Sequence, residues 1–226
     1  MSSKKAVILE VGIPKGGDGK SMISRNLAVM RAKEGRDILL IDADSGNDAP
    51  LTSSLWSAMR DQNEVKPRIT CIQKAGNDIH KDIYDLATRY DDVIVDIGRG
   101  NTQELRSAMT VADILCVPFR ATQDDIWSLP TVQGLVEQVR AINPNLKAYA
   151  VINLASPNPR IPETQKAIDC LDDFPDIAFS GVVIRERIAF SRAMALGLSV
   201  MEYQPVDQKA IDEITNLYNV LYGKAT

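Results

Sequence analysis

The sequence predicts an α/β fold: a doubly wound, mostly parallel sheet with helices on both faces. Short apolar runs alternate with helical patterns along nearly the whole chain. Strands separated by helices pair in parallel and need cover on both faces. The first strand leads through a glycine-rich loop straight into a helix. No repeat, low-complexity stretch or linker divides the 226 residues, so residues 1–226 are read as one domain large enough for a sizeable core.

The elements follow in order. Ala6 to Val11 (AVILEV) is a short buried strand, and Ser21 to Ala32 a helix with Ile23, Leu27 and Met30 on one face. Asp37 to Ala43 (DILLIDA) is a second buried strand, followed by a helix over Ala49 to Arg60 and a short strand over Ile69 to Ile72. Asn77 to Tyr90 carries Ile79, Ile83, Leu86 and Tyr90 at helical spacing. Asp92 to Ile97 (DVIVDI) is a strand, Thr102 to Thr110 a short helix, and Ile114 to Phe119 another strand. Leu129 to Ile142 is helical, with Pro130 tolerated in the first turn. Then come strand Lys147 to Leu154, helix Pro162 to Asp173, strand Val182 to Ile184, helix Glu186 to Leu196 and a last helix from Asp207 to Tyr222. The turn-rich stretch SPNPRIP from Ser156 to Pro162 is a surface loop.

Composition narrows the function classes. Hydrophobic content of 45% and charged content of 25% are ordinary for a soluble globular chain. No signal segment and no apolar run of membrane-spanning length is visible, so the expected location is cytoplasmic. Cys71, Cys116 and Cys170 are far apart in apolar runs and read as reduced core cysteines. His80 is the single histidine, which disfavours a histidine-based metal site or triad, and it reads as a surface residue. A net charge of −4 gives bulk electrostatics no role in nucleic-acid binding, so any such site must be a local patch.

The stretch from Ile13 to Ser21 (IPKGGDGKS) is the chemical centre. Glycines at 16, 17 and 19 let backbone N–H groups converge on an anion, because no Cβ blocks the approach. The following helix adds partial positive charge at its N-terminus. Lys20 can reach the β- and γ-phosphates, and the Ser21 hydroxyl can ligate Mg²⁺. Asp18 puts a carboxylate into this loop, which needs a compensating lysine or arginine. Asp42, Asp44 and Asp96 close two apolar strands and fall on the phosphate edge of the sheet. Asp96 is the candidate Mg²⁺ ligand, since a hydrophobic strand ending in Asp beside a phosphate loop commonly holds that ion.

The ordinary phosphate-loop pattern wants Gly at 14, where this chain has Pro14, and a second lysine, Lys15, stands five residues before Lys20. The stretch K-G-G-x-G-K-S resembles the deviant Walker A motif of the ParA/MinD family of dimerising ATPases. KDIYDLATRYDDVIVDIG, ADILCVPF and GVVIRERIAFSRAMALGLSVMEYQP extend the likeness over essentially the whole chain, closest to the small plasmid-partition ParA proteins. The resemblance implies an ATP- and Mg²⁺-dependent homodimer in which Lys15 crosses to the partner's nucleotide. It implies that Asp44 orients the attacking water, that Asp42 lies nearer the metal, and that Asn153 helps hold the adenine. The chain departs from the family at Met22, where Thr is usual and contacts the α-phosphate, at Ser45-Gly46 after Asp44, and at Gly98-Arg99-Gly100 after Asp96.

The function so implied is slow ATP hydrolysis, stimulated by a ParB-like partner, that drives partition of plasmid DNA or a similar cargo. The ATP dimer would bind non-specific DNA and associate with the nucleoid. The candidate DNA patch is Arg185, Arg187 and Arg192, with contacts to phosphates only. Alternatives are a metabolic ligase or kinase on the same fold, or a positioning ATPase for transfer DNA, a protein complex or a cell-division factor. The last helix has Ile211, Ile214, Leu217, Tyr218 and Leu221 on one face and Asp207, Asp212 and Glu213 among its polar residues. Anionic lipid would repel that polar face, so the helix is read as core packing and no membrane partner is expected.

Overall fold

The computed structural model describes residues 6–44, 52–100 and 102–223. The strands are β1 (Val7–Val11), β2 (Ile38–Ala43), β3 (Thr70–Gln73), β4 (Asp92–Ile97), β5 (Ile114–Phe119), β6 (Lys147–Ala155) and β7 (Ala178–Arg185). They form a seven-stranded sheet in the order β3-β2-β4-β1-β5-β6-β7, and every pairing is parallel. The helices are α1 (Lys20–Lys33), α2 (Thr52–Gln62), α3 (Ile79–Leu86), α4 (Thr102–Met109), α5 (Gln123–Ile126), α6 (Leu129–Arg140), α7 (Glu163–Cys170), α8 (Ile188–Met194) and α9 (Gln208–Tyr222). The expected fold class is the one observed.

Strand alternation sorts the core into two layers. Ile8, Leu39 and Ile41 face Ile83 of α3, Leu105 of α4 and Val132 of α6. Leu9, Val11, Ile38 and Leu40 face Ile23 and Leu27 of α1, Trp56 of α2, Phe190 of α8 and Leu217 of α9. The apolar side of α9 is therefore core: Ile214, Leu217, Tyr218 and Leu221 are buried, and Ile211 packs at the edge. Among the described residues no helix is long and apolar enough to cross a membrane.

Three expectations change, and a fourth falls on residues that are not described. The expected start of α2 at Ala49 lies outside the described residues, as do Ser45 and Gly46. β7 begins at Ala178, earlier than expected, because Ser180 and Gly181 interrupt its apolar pattern. Gly181 has φ +74, and the pairing with β6 shifts register there. α5 was not expected; its four residues QDDI have no apolar period and are nucleated by the Thr122 cap. His80 is half-buried rather than on the open surface, because α3 packs against α4 and brings its Nδ1 to 2.9 Å from Ser107 Oγ. Of the three free cysteines, Cys116 is fully buried, while Cys71 and Cys170 are partly so. Burial pushes the Cys116 and Cys71 thiols up to about 12, which keeps them protonated.

Candidate nucleotide site

β1 and β4 deliver the site. They pair with Val11 beside Asp96, and β2 pairs with β4 so that Asp42 lies beside Asp96. The carboxyl ends of these strands therefore open at one edge, where ligands of such sheets bind. From Val11 the chain runs through the glycine loop into α1, whose N-cap is Gly19. Gly17 and Gly19 have φ +90 and +78, a region other residues rarely adopt. A Cβ on Gly19 would also lie 2.2 Å from Asn153 Nδ2. The loop borders a cleft of about 280 Å³ that Lys20, Ser21, Met22, Arg25, Asp44, Thr52, Asp96 and Arg99 also line.

Lys20 is only 7% exposed and donates from Nζ to the Lys15 carbonyl at 2.6 Å. Burial holds its ammonium below the usual lysine value against the pull of Asp18, Asp96 and Asp44. A desolvated cation at a helix N-terminus is poised for a phosphate. The Ser21 hydroxyl accepts from Thr52 Oγ1 at 3.1 Å and hydrogen-bonds Asp96. Asp96 accepts from Ser53 Oγ at 2.5 Å through Oδ2, while its buried Oδ1 has no partner. Burial raises its pKa despite the two serine hydroxyls and the Arg25 charge. An orphan carboxylate oxygen beside a serine hydroxyl suits Mg²⁺, which takes few protein ligands and completes its shell with phosphate oxygens and water. The residues present fit the ion, with Ser21 and Asp96 as its holders.

Asp42, the other carboxylate expected near the metal, lies beside Asp96 on the neighbouring strand. It is 2% exposed and accepts from Ser54 N at 2.7 Å and from Asp44 N at 3.5 Å, so it ties β2 to the first turn of α2. Asp44 lies in the cleft and packs on Gly98, where a Cβ would meet its Oδ1 at 2.6 Å. The Gly98-Arg99-Gly100 departure thus has a local reason. Gly98 makes room for Asp44, the Arg99 side chain lies on Gly16, and Gly100 N donates to the Pro14 carbonyl at 2.7 Å.

Asn153 is fully buried and donates from Nδ2 to the Asp18 carbonyl at 2.6 Å. In this conformation it braces the loop from below, and its Oδ1 stays without a partner. Asp18 is 1% exposed, and burial, then the Asp125 charge, raises its pKa. The compensating cations are Lys20, Lys15 and Arg120. Lys15 itself donates from Nζ to Asp125 Oδ1.

The three arginines of the expected DNA patch do not form one open surface. Glu213 takes Arg187 in a bidentate pair at 3.1 and 2.6 Å, and also accepts from Arg185 N at 3.0 Å. The Arg185 guanidinium donates to the Ser156 carbonyl at 2.5 Å. Arg192 alone of the three is exposed. α9 supplies the neutralising acid, which local charge counting over residues 181–192 could not include. Sequence reasoning also missed Arg25, Ser53, Arg120 and Asp125, and it named Arg99 only within the Gly98-Arg99-Gly100 departure. None stands in the phosphate motif, and Thr122 and Asp125 meet as a capping pair in the structure.

A parallel sheet with a glycine loop, a buried lysine and a serine–aspartate pair at its carboxyl edge defines a P-loop nucleotide-binding protein. Residues 11–200 match the CobQ/CobB/MinD/ParA nucleotide binding domain, and the chain belongs to that family. It is 26% identical over 221 residues to the maintenance of carboxysome distribution protein A of Halothiobacillus neapolitanus, covering 97% of this chain and 98% of that one. The fold is similar to an ATP complex of Cyanothece McdA, with a TM-score of 0.74 and 15% identity over 99% of both chains. It is also similar to a putative plasmid partition protein of Borrelia burgdorferi bound to AMPPNP, with a TM-score of 0.71 and 16% identity over 98% of this chain and 100% of that one. The Aquifex aeolicus cell division protein MinD gives a TM-score of 0.72 and 18% identity over 98% of each chain.

Proposed function

We propose that this chain is an ATPase that acts as an ATP-dependent dimerisation switch for positioning a cargo. The observation that carries the reading is a second loop lysine, Lys15, next in the chain to the cleft-lining Gly16 and 37% exposed. Lys20 and the loop backbone bind the phosphates of ATP, and Ser21 and Asp96 hold Mg²⁺. Mg²⁺ supplies charge neutralisation at the phosphate oxygens when bound. Asp44, packed on Gly98 inside the cleft, orients the attacking water, and Met22 borders the α-phosphate. Asn153 sets the loop from below, and any contact to adenine would require it to turn from the Asp18 carbonyl. Lys15 reaches the nucleotide of a second copy, so the ATP form is a dimer. Hydrolysis is slow until a ParB-like partner completes the site.

Two cargoes are consistent with this switch. Plasmid DNA follows from the motif segments of the small partition proteins. A protein compartment is favoured by the nearly full-length similarity to a carboxysome distribution protein. In either case the ATP dimer binds nucleoid DNA through phosphates, and the exposed Arg192 is the residue we assign to that contact.

Light scattering tests the switch. Wild type should be monomeric with ADP and of doubled mass with a non-hydrolysable ATP analogue and Mg²⁺. Lys20→Ala should lose nucleotide binding, Lys15→Gln should bind nucleotide without doubling, and Asp44→Ala should dimerise and barely hydrolyse. An unchanged wild-type mass in both nucleotides overturns the reading. Arg192→Glu should weaken DNA binding while leaving the dimer intact, read by band shift at several salt concentrations.

A further inference from the structure

Both loop lysines are held by groups of the chain itself. Lys20 holds the Lys15 carbonyl at 2.6 Å, and the Lys15 ammonium holds Asp125. Arg120 donates to the Gly17 carbonyl at 2.9 Å. Asp125 is 1% exposed and rigidly seated. Its second oxygen accepts from Thr122 Oγ1 at 2.6 Å, its backbone N–H donates to the Thr122 carbonyl at 3.1 Å, and its carbonyl accepts from Ser128 Oγ at 2.6 Å. These contacts fix α5 at the end of β5 with one carboxylate oxygen aimed at the loop. Asp18 and Asp124 add negative charge around the same ammonium. Lys15 therefore sits in an acidic cradle on its own subunit, not pointing free into solvent.

We propose that Asp125 is a regulatory positioning residue: it holds Lys15 in cis, and nucleotide must win the lysine from it before two copies can close. This rests on the dimerisation switch proposed above. The exchange is one of like for like, a carboxylate oxygen for a phosphate oxygen on the same ammonium. Because Asp125 already pairs Lys15 in cis, the contact to a second copy's nucleotide must outcompete that pair, and the apparent affinity of dimerisation falls by the fraction so held. The cis pair thus raises the ATP level at which dimers form, and helps keep the ADP form apart. Thr122 tunes the hold by fixing the orientation of the Asp125 carboxylate.

Two measurements on the full chain test this. Amine acylation, followed by mass spectrometry without nucleotide, reads whether Lys15 is held. Wild-type Lys15 should react several-fold more slowly than the exposed Lys209 on α9, and Asp125→Asn should bring the two rates together. Light scattering then reads dimer formation against the concentration of a non-hydrolysable ATP analogue with Mg²⁺. Asp125→Asn, which keeps a side-chain oxygen for Thr122, should dimerise at about tenfold lower analogue, and adding Lys15→Gln should remove that gain. Equal acylation of Lys15 and Lys209 in wild type overturns the proposal and needs no variant to fold. An unaltered analogue threshold in a folded Asp125→Asn overturns it while leaving the switch standing. If wild type and variant both stay monomeric with the analogue, the switch itself fails and this proposal falls with it.

Discussion

Asp92 and Asp96 stand at the two ends of the same strand, β4, and both are buried, yet they do opposite work. At the amino end, Asp92 accepts from Arg31 Nε at 2.8 Å and from Arg36 Nε at 3.1 Å and Nη2 at 3.2 Å. Arg31 in turn reaches Tyr218 Oη at 3.3 Å and lies 4.3 Å from the centre of the Tyr222 ring. This carboxylate is saturated, and its charge is locked into joining α1, β4 and α9. At the carboxyl end, Asp96 receives hydroxyl hydrogen bonds from Ser53 and Ser21 and keeps one oxygen unpartnered. A buried carboxylate with both oxygens matched to guanidinium groups is structural. One left short of partners is held ready for something the chain does not supply.

The largest expected effect tests the saturated end. Asp92→Ala leaves two arginine charges without their shared partner and should cost about 3–5 kcal/mol of stability. At about 2–4 °C per kcal/mol for a chain of this size, that is a fall in Tm of about 10 °C. Nucleotide affinity of the folded fraction should be unchanged; calorimetry showing the reverse pattern would break the comparison.

Asp96→Asn should do the opposite. Without nucleotide its Tm should match or exceed wild type, because the buried charge is removed and the amide can still accept from Ser53. The enhancement of ATP binding by Mg²⁺ should fall at least tenfold, or about 1.4 kcal/mol, read by titration with and without EDTA. A large loss of stability would place Asp96 in the same class as Asp92.

Glu10 gives a third case and a smaller effect. It lies on β1, fully buried, with neither oxygen partnered, and burial raises its pKa well above the ordinary glutamate value. The folded chain therefore keeps a proton that the unfolded chain releases near pH 4.5. Its contribution to stability is whole below that pH and is lost as pH rises toward the folded pKa, at up to about 1.4 kcal/mol per pH unit. Glu10→Met keeps the side-chain length without the charge. It should be more stable than wild type at pH 7, and the gap should narrow by up to about 3 kcal/mol as the pH falls to 4. Denaturant titrations at both pH values decide this, and a gap that fails to narrow on acidification would show that Glu10 is not protonated in the fold.

Much of this protein was written in local sequence. The alternation of apolar strands and amphipathic helices determined the parallel sheet, because a strand buried on both faces must be apolar throughout. The glycine loop was legible because its backbone requirement, positive φ at Gly17 and Gly19, and its lysine and serine are contiguous in the chain. Asp96 was legible because it ends an apolar strand. Asp92, four residues earlier on the same strand, looked no different, since its arginine partners come from the end of α1 and the turn after it. The pairing of Lys15 with Asp125 joins residues 110 apart in the chain. Glu213 neutralises Arg187 across 26 positions, and the hydrogen bond of Asn153 to the loop spans 135. Each depends on which helix the fold lays against which strand end. Residue type and spacing told which groups carry charge; only the packed structure decided whether each charge is matched or left open, because matching is a property of distance in space.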